Sequence, residues 1–133
     1  MPNALLFTPP FSILNLMNIE SCRSYCLSKK GVTEELPFGP EALVFKVMGK
    51  MFALTDVESF SSINLKVDPE RGVELRDAYP AVQPGYHMNK KHWITVLIDG
   101  SIPDKLLRQW IDESYQLVVA KLTKSQRSAL ESM

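Results

Sequence analysis

Two short apolar runs, Ala42–Met48 and Met51–Thr55, are separated only by Gly49 and Lys50. Within the first run Leu43, Phe45 and Val47 alternate with Val44, Lys46 and Met48. A period of two belongs to a strand and puts one set of side chains on each face. A glycine opening a two-residue loop signals a type II′ hairpin. The segment is therefore predicted to be an antiparallel hairpin, with its Lys46 face the wetter one at its middle. The other face must be covered by something apolar. The largest candidate lies near the C-terminus, where Leu106, Leu107, Trp110, Ile111, Ser114, Leu117, Val118 and Leu122 recur at helical spacing.

The remaining segments fit around this pair. Asn18 is a good N-cap, Glu20 suits the first turn, and Lys29, Lys30 and Gly31 mark a C-terminus, so a helix is predicted over 18–30. Its buried stripe is Ile19, Cys22, Cys26 and one of Tyr25 or Leu27. Val32–Leu36 reads as a short strand ended by the turn Pro37-Phe38-Gly39-Pro40. Ser62–Val67 reads as another, with Ile63, Leu65 and Val67 on one side. Asp68-Pro69-Glu70 starts a middle helix that buries Leu75, Ala78 and Tyr79 and stops at Pro80. Residues 79–85 hold two prolines and a glycine and read as a turn or irregular edge. Tyr86–Met88 and Trp93–Ile98 read as strand pieces flanking Asn89-Lys90-Lys91-His92. Ser101 and Asp104 form a capping pattern before the long helix; Thr123 and Gln126 form another before a short last helix.

The order is N-terminal helix, β-meander, middle helix, further strand, long C-terminal helix and short last helix. That is α+β: two layers, an antiparallel sheet with helices packed on one face. The chain of 133 residues shows no repeat and no linker, so residues 17–133 are read as one domain. Residues 1–16 are apolar but interrupted by Pro2, Pro9 and Pro10, with no preceding Lys or Arg and no small-residue cleavage site. They suit neither a signal peptide nor a membrane span. They are expected to be a non-native or loosely packed extension, with Met17 as the natural start.

Fifteen basic and fifteen acidic residues give a net charge of zero, which excludes a globally cationic nucleic-acid clamp. The sum hides a mild skew. Residues 41–80 carry five basic against seven acidic side chains, and residues 81–133 carry seven basic against five acidic. Cys22 and Cys26 lie one helical turn apart, a spacing of neither a zinc knuckle nor a C-x-x-C redox pair. They read as small core residues in a reducing, cytoplasmic setting. No phosphate loop, dinucleotide fingerprint or nucleophile elbow is present, and no cofactor or metal is expected.

One segment has the composition of a binding surface. Gly85 to Trp93 packs two lysines, two histidines, an asparagine and two aromatics into nine residues. Lys90 and Lys91 can contact phosphates, and Tyr86 or Trp93 can stack on a base. The competing reading is a polar turn whose aromatics reach back into the core.

Several segments together resemble the YjbR/MmcQ family of small bacterial proteins. They are Arg23-Ser24-Tyr25-Cys26-Leu27, Pro37-Phe38-Gly39-Pro40, Phe45 to Leu54, Pro84 to Trp93 with its His-Met-Asn-Lys-Lys-His-Trp ending, and Ser114-Tyr115 with Leu117-Val118. The resemblance covers about residues 17–130 and implies a fold like CyaY/frataxin and the secretion chaperones. It also implies a DNA-binding role through β-hairpins shaped as wings.

The expected function is thus a non-catalytic, cytoplasmic binding protein that engages DNA through a small local surface. Its candidate residues are Lys46, Lys50, Tyr86, His87, Asn89, Lys90, Lys91, His92 and Trp93. The alternative is a protein- or peptide-interaction module using an exposed sheet face or edge, with Met48, Met51 and Phe52 beside the hairpin turn. No membrane partner is expected, and the oligomeric state is left open.

Overall fold

A computed structural model describes residues 17–86 and 88–133. The expectation for residues 1–16, and the candidate His87, lie outside the described residues. The architecture is α+β. The chain runs α1 (Ile19–Leu27), β1 (Val32–Glu35), β2 (Ala42–Val47), β3 (Lys50–Asp56), β4 (Ser62–Lys66), α2 (Pro69–Ala78), β5 (Val82–Pro84), β6 (Trp93–Leu97), α3 (Asp104–Ala120) and α4 (Lys124–Glu131). The six strands form one antiparallel sheet in the order β1-β2-β3-β4-β6-β5.

Register assigns the two faces. Glu34, Phe45, Ala53, Leu65, Ile94 and Pro84 stand opposite one another across all six strands. Phe45, Ala53, Leu65 and Ile94 in this row are wholly buried beneath the helices. The adjacent row, Glu35, Val44, Leu54, Asn64, Thr95 and Gln83, faces the other way. That side is only partly open, because Val44, Thr95 and Trp93 are buried on it.

Helix α3 lies across β2, β3 and β4 and buries Leu107, Trp110, Ile111, Ser114, Tyr115 and Val118. Each large apolar side chain so removed from water contributes about 1.5–3 kcal/mol. Phe52 meets Tyr115 edge-on at 5.4 Å between ring centroids, and Tyr79 meets Trp110 at 5.2 Å. Helix α1 buries Cys22 and Cys26. The Cys26 thiol is held well above the ordinary range by its hydrogen bond with Cys22 and by burial, so it stays a neutral core group. Tyr25, rather than Leu27, completes the α1 stripe.

Several expectations change on the structure. The hairpin turn is Met48-Gly49, not Gly49-Lys50, and both residues have positive φ (51° and 80°), the signature of a type I′ turn. Among the described residues Tyr86 and Met88 belong to no strand, and the pairing is made instead by Val82–Pro84. Proline is tolerated there because β5 is an edge strand. Ser101 does not cap α3: its backbone N–H and its hydroxyl both donate to Asp99, and Pro103 stands at the N-cap without a side-chain bond. Helix α1 ends at Leu27, short of Lys30, and Ala78 is exposed rather than buried. The capping boxes at Asn18 and Thr123 are both formed.

Candidate functional site

The local chemistry of residues 85–93 is turn chemistry. The Asn89 carboxamide oxygen accepts from the backbone N–H of Lys91 (2.9 Å) and of His92 (3.3 Å). The Lys90 ammonium folds back and donates to the Gly85 carbonyl at 3.0 Å. The Gly85 N–H donates to Trp93, and a Cβ at position 85 would sit 2.8 Å from the Trp93 Cβ. The segment is thus a tight return that delivers Trp93 into the sheet opposite Lys66. Asn89 fixes this return, and His92 joins it through its backbone, donating to Asn89 and accepting from the Val67 N–H. Lys91 stays exposed on its outer side.

The two aromatics separate. Trp93 is only 9% exposed, so it offers an edge and not a stacking face. Tyr86 is 67% exposed on the helix-free side, and its backbone N–H donates to Thr95 Oγ1, whose hydroxyl donates to Asn64 Oδ1. Lys46 is drawn away from the other candidates by Glu35, at 3.0 Å across the β1–β2 pair.

A different grouping appears at the end of the sheet, where β3 begins, β4 ends and α3 ends. Ala53 and Leu65 pair normally; one step on, Phe52 and Lys66 face each other without pairing. The Ser114 hydroxyl fills the gap. It donates to the Phe52 carbonyl (2.6 Å) and accepts from the Lys66 N–H (2.9 Å). A hydroxyl can make both bonds at once, so the Phe52 carbonyl and the Lys66 N–H stay satisfied where the ladder opens. On the neighbouring side β3 carries an irregularity against Phe45 and Lys46. Beside the parted strands lies a cleft of about 330 Å³ lined by Lys50, Met51, Lys66, Trp93, Val118 and Lys121.

No carboxylate lines this cleft, and no ion pair engages Lys50, Lys66 or Lys121 among the described residues. The Lys66 ammonium stands 6.0 Å from the Trp93 ring centroid, within cation–π reach. Other lysines and arginines of this chain do find acids. Arg23 pairs with Glu34, Lys29 with Asp112, Arg71 with Glu74 and Glu113, and Arg108 with Asp104. In a chain of zero net charge, three cations around one acid-free cavity form a local positive field. Lys121 also stands at the C-terminal end of α3, where a cation balances the helix dipole.

Of the residues singled out from the sequence, the structure brings Lys50 and Trp93 together in this cleft. Lys46, Tyr86, Asn89, Lys90, Lys91 and His92 are not part of its lining. Lys66, Lys121 and Ser114 were not anticipated as site residues. Their only sequence signal was negative: Ser114 is the sole polar residue in the apolar stripe of α3.

Elsewhere, a groove of about 590 Å³ runs between α1 and β1, lined by Ile19, Arg23, Glu34, Leu36, Leu43 and Val57. Leu36 in that lining is 50% exposed, and Phe38, two residues further along the chain, is 70% exposed. Between α1 and α3, Tyr25 donates to Asp112 (2.6 Å), and Lys29 pairs with the same carboxylate while lying over the Tyr25 and Tyr115 rings. Burial, then the bond to Asp112, pushes the Tyr25 hydroxyl up to about 12. Its partners are all internal, so this cluster locks α1 to α3.

The family model YjbR matches residues 27–117. The chain is 36% identical to YjbR of Escherichia coli K12 over 115 residues, covering 86% of this chain and 98% of that one. It is 48% identical to YbdF of Escherichia coli O157:H7 over 89 residues, covering 66% and 73% respectively. Among solved structures, a Deinococcus radiodurans protein with a DUF419 domain superposes with a TM-score of 0.82 at 44% identity, covering 88% of this chain and 90% of its own. A Pseudomonas syringae protein superposes at 0.65 with 33% identity, covering 76% and 98%.

Proposed function

The chain belongs to the YjbR family, and from that premise we propose that it is a binding protein that contacts the phosphates of DNA through the Lys50–Lys66–Lys121 cleft. One observation carries the reading: three lysines line a single cavity that holds no carboxylate. Lysine ammonium groups bind phosphate as point charges, and the released counterions make such binding salt-dependent. The apolar walls, Met51, Trp93 and Val118, lower the effective dielectric around the charges and strengthen each contact. Asn89 and Lys90 act one step back, since their turn sets the position of Trp93 and thereby of Lys66. Among the described residues no helix is long and apolar enough to cross a membrane.

The test is a gel-shift or filter-binding titration with labelled DNA at two salt concentrations. Three lysine–phosphate contacts set a slope of log K against log salt of about −2.1 to −2.7, so fourfold more salt weakens binding roughly 20–40-fold. Lys50→Glu, at an exposed position that leaves the core untouched, is expected to abolish most of the binding. An affinity indifferent to both salt and Lys50→Glu would end the proposal.

A second reading has its own observation. β1 is an edge strand, Leu36 lies exposed in the α1–β1 groove, and Phe38 is exposed two residues further along the chain. An extended peptide that adds to β1 would place its alternate side chains in that groove. Selection of displayed peptides that bind the native protein but not a Phe38→Asp variant would support it. Identical selection by both proteins would discard it.

A further inference from the structure

Taking the preceding reading that the cleft accepts phosphate, we infer that its preferred group is a single terminal phosphomonoester, not the internal phosphodiester of a duplex. The inference starts from capacity. A volume of about 330 Å³ is at the small end of the ~300–1,000 Å³ range of small-ligand pockets, room for one nucleotide-sized group. The lining gathers at the end of the sheet: Lys50, Met51, Lys66 and Trp93 from β3, β4 and β6, Val118 from the last turn of α3, and Lys121 from its C-cap. Room for one such group suits a chain end better than the side of a duplex cylinder.

Charge gives the same answer. An internal phosphodiester carries one negative charge, while a terminal phosphomonoester carries about −1.5 to −2 near pH 7 and presents three acceptor oxygens. Three ammonium groups around one cavity match the second group. Lys121 already balances the end of α3, so Lys50 and Lys66 supply most of the discrimination. The apolar walls suit the sugar or base edge next to the phosphate. With Trp93 only 9% exposed, a continuous run of stacked bases finds no platform there. The chemistry is shared by the 5′-phosphorylated end of a strand and by a free 5′-mononucleotide.

The experiment compares fluorescently labelled single-stranded decamers bearing a 5′-phosphate or a 5′-hydroxyl, labelled at the 3′ end, by anisotropy at low salt. It adds a blunt duplex with 5′-hydroxyl ends and competition by a 5′-mononucleotide. The 5′-phosphorylated strand is expected to bind at least roughly tenfold more tightly than its hydroxyl counterpart, a ratio of about 1.4 kcal/mol. The mononucleotide should compete, and its potency separates a free-nucleotide source from a strand end. Lys66→Met keeps the alkyl stem over Trp93 and should erase the ratio; Lys50→Gln, at an exposed position, should reduce it if Lys66→Met fails to fold. Equal, salt-dependent binding of all three nucleic acids would overturn this inference and leave the DNA-binding reading intact. No binding by any of them would overturn both. A phosphate preference that survives both lysine variants would remove it from this cleft.

Discussion

Replacing Ser114 by alanine probes the feature on which the cleft depends. The hydroxyl is fully buried and satisfies two backbone groups, the Phe52 carbonyl at 2.6 Å and the Lys66 N–H at 2.9 Å. Removing it orphans both, at about 1–3 kcal/mol for each buried unpaired group. Alanine is the better helix former and returns up to ~0.5 kcal/mol within α3. The expected net loss is about 1.5–6 kcal/mol. Urea unfolding followed by tryptophan fluorescence reads this as a lower midpoint at unchanged m-value, a shift of roughly 1–6 M for an m of about 1–2 kcal/mol/M. A second response is physically open: β3 and β4 can close and pair Phe52 directly with Lys66. Stability would then fall by less than ~1 kcal/mol, but the strands would no longer part, and the nucleic-acid binding proposed for the cleft would drop. The two readouts therefore trade against each other. Ser114→Ala with unchanged midpoint and unchanged binding would refute the wedge. So would a stabilised variant with full binding, the behaviour of a serine that merely disfavours its helix.

Three further outcomes follow from local geometry. Gly31 has φ +75° and a Cβ there would lie 2.4 Å from Leu130 Cδ1, so Gly31→Ala combines backbone strain with a clash against α4 and should cost about 1–3 kcal/mol by urea unfolding. Gly49 has φ +80° in open space, so Gly49→Ala should lose only the backbone part, about 1 kcal/mol by the same assay. The hydrogen bond from Arg23, and then its charge, hold the Glu34 carboxyl below the ordinary glutamate range against the opposing effect of burial. Arg23→Ala should raise that carboxyl toward 4.5 in a carbon-detected NMR titration. Because the folded-state value is depressed, the pair's contribution is present above the unfolded value near 4.5 and fades as pH falls through the folded one. The wild-type protein should therefore lose its stability advantage over Arg23→Ala in acid.

The periodic segments were legible because burial and period agree in them. Leu43, Phe45 and Val47 read as a strand and are one; the α3 stripe read as a helix and covers the sheet as expected. What failed was backbone detail that side-chain pattern does not encode. Met48 adopts φ 51°, which no residue preference announces for methionine, so the turn shifted by one residue. Pro84 masked β5 because a proline normally argues against a strand, and only its edge position permits it. The site was half legible. Lys50 and Trp93 attracted notice locally, but their partners Lys66 and Lys121 sit far along the chain. They join only through the Lys66–Trp93 register and the end of α3. Lys46 was discounted by an acid on a neighbouring strand, Glu35, which no local window contains.

The strand order has a kinetic meaning. β1 to β4 pair with their neighbours in the chain, and β5 pairs with β6, so two portions of the sheet can close over short loops. The β4–β6 seam is different, because α2 and β5 intervene between its strands. Loop-closure entropy and contact order make such a seam the slow pairing, expected to gain amide protection last in pulsed hydrogen exchange during refolding. Lys66 and Trp93 face each other across that seam. A chain arrested with both portions formed but undocked would have most of its secondary structure and no cleft. Ligand binding then reports completion of the sheet rather than collapse of the core, and any ligand of the cleft acts as a clamp on the last-formed contact.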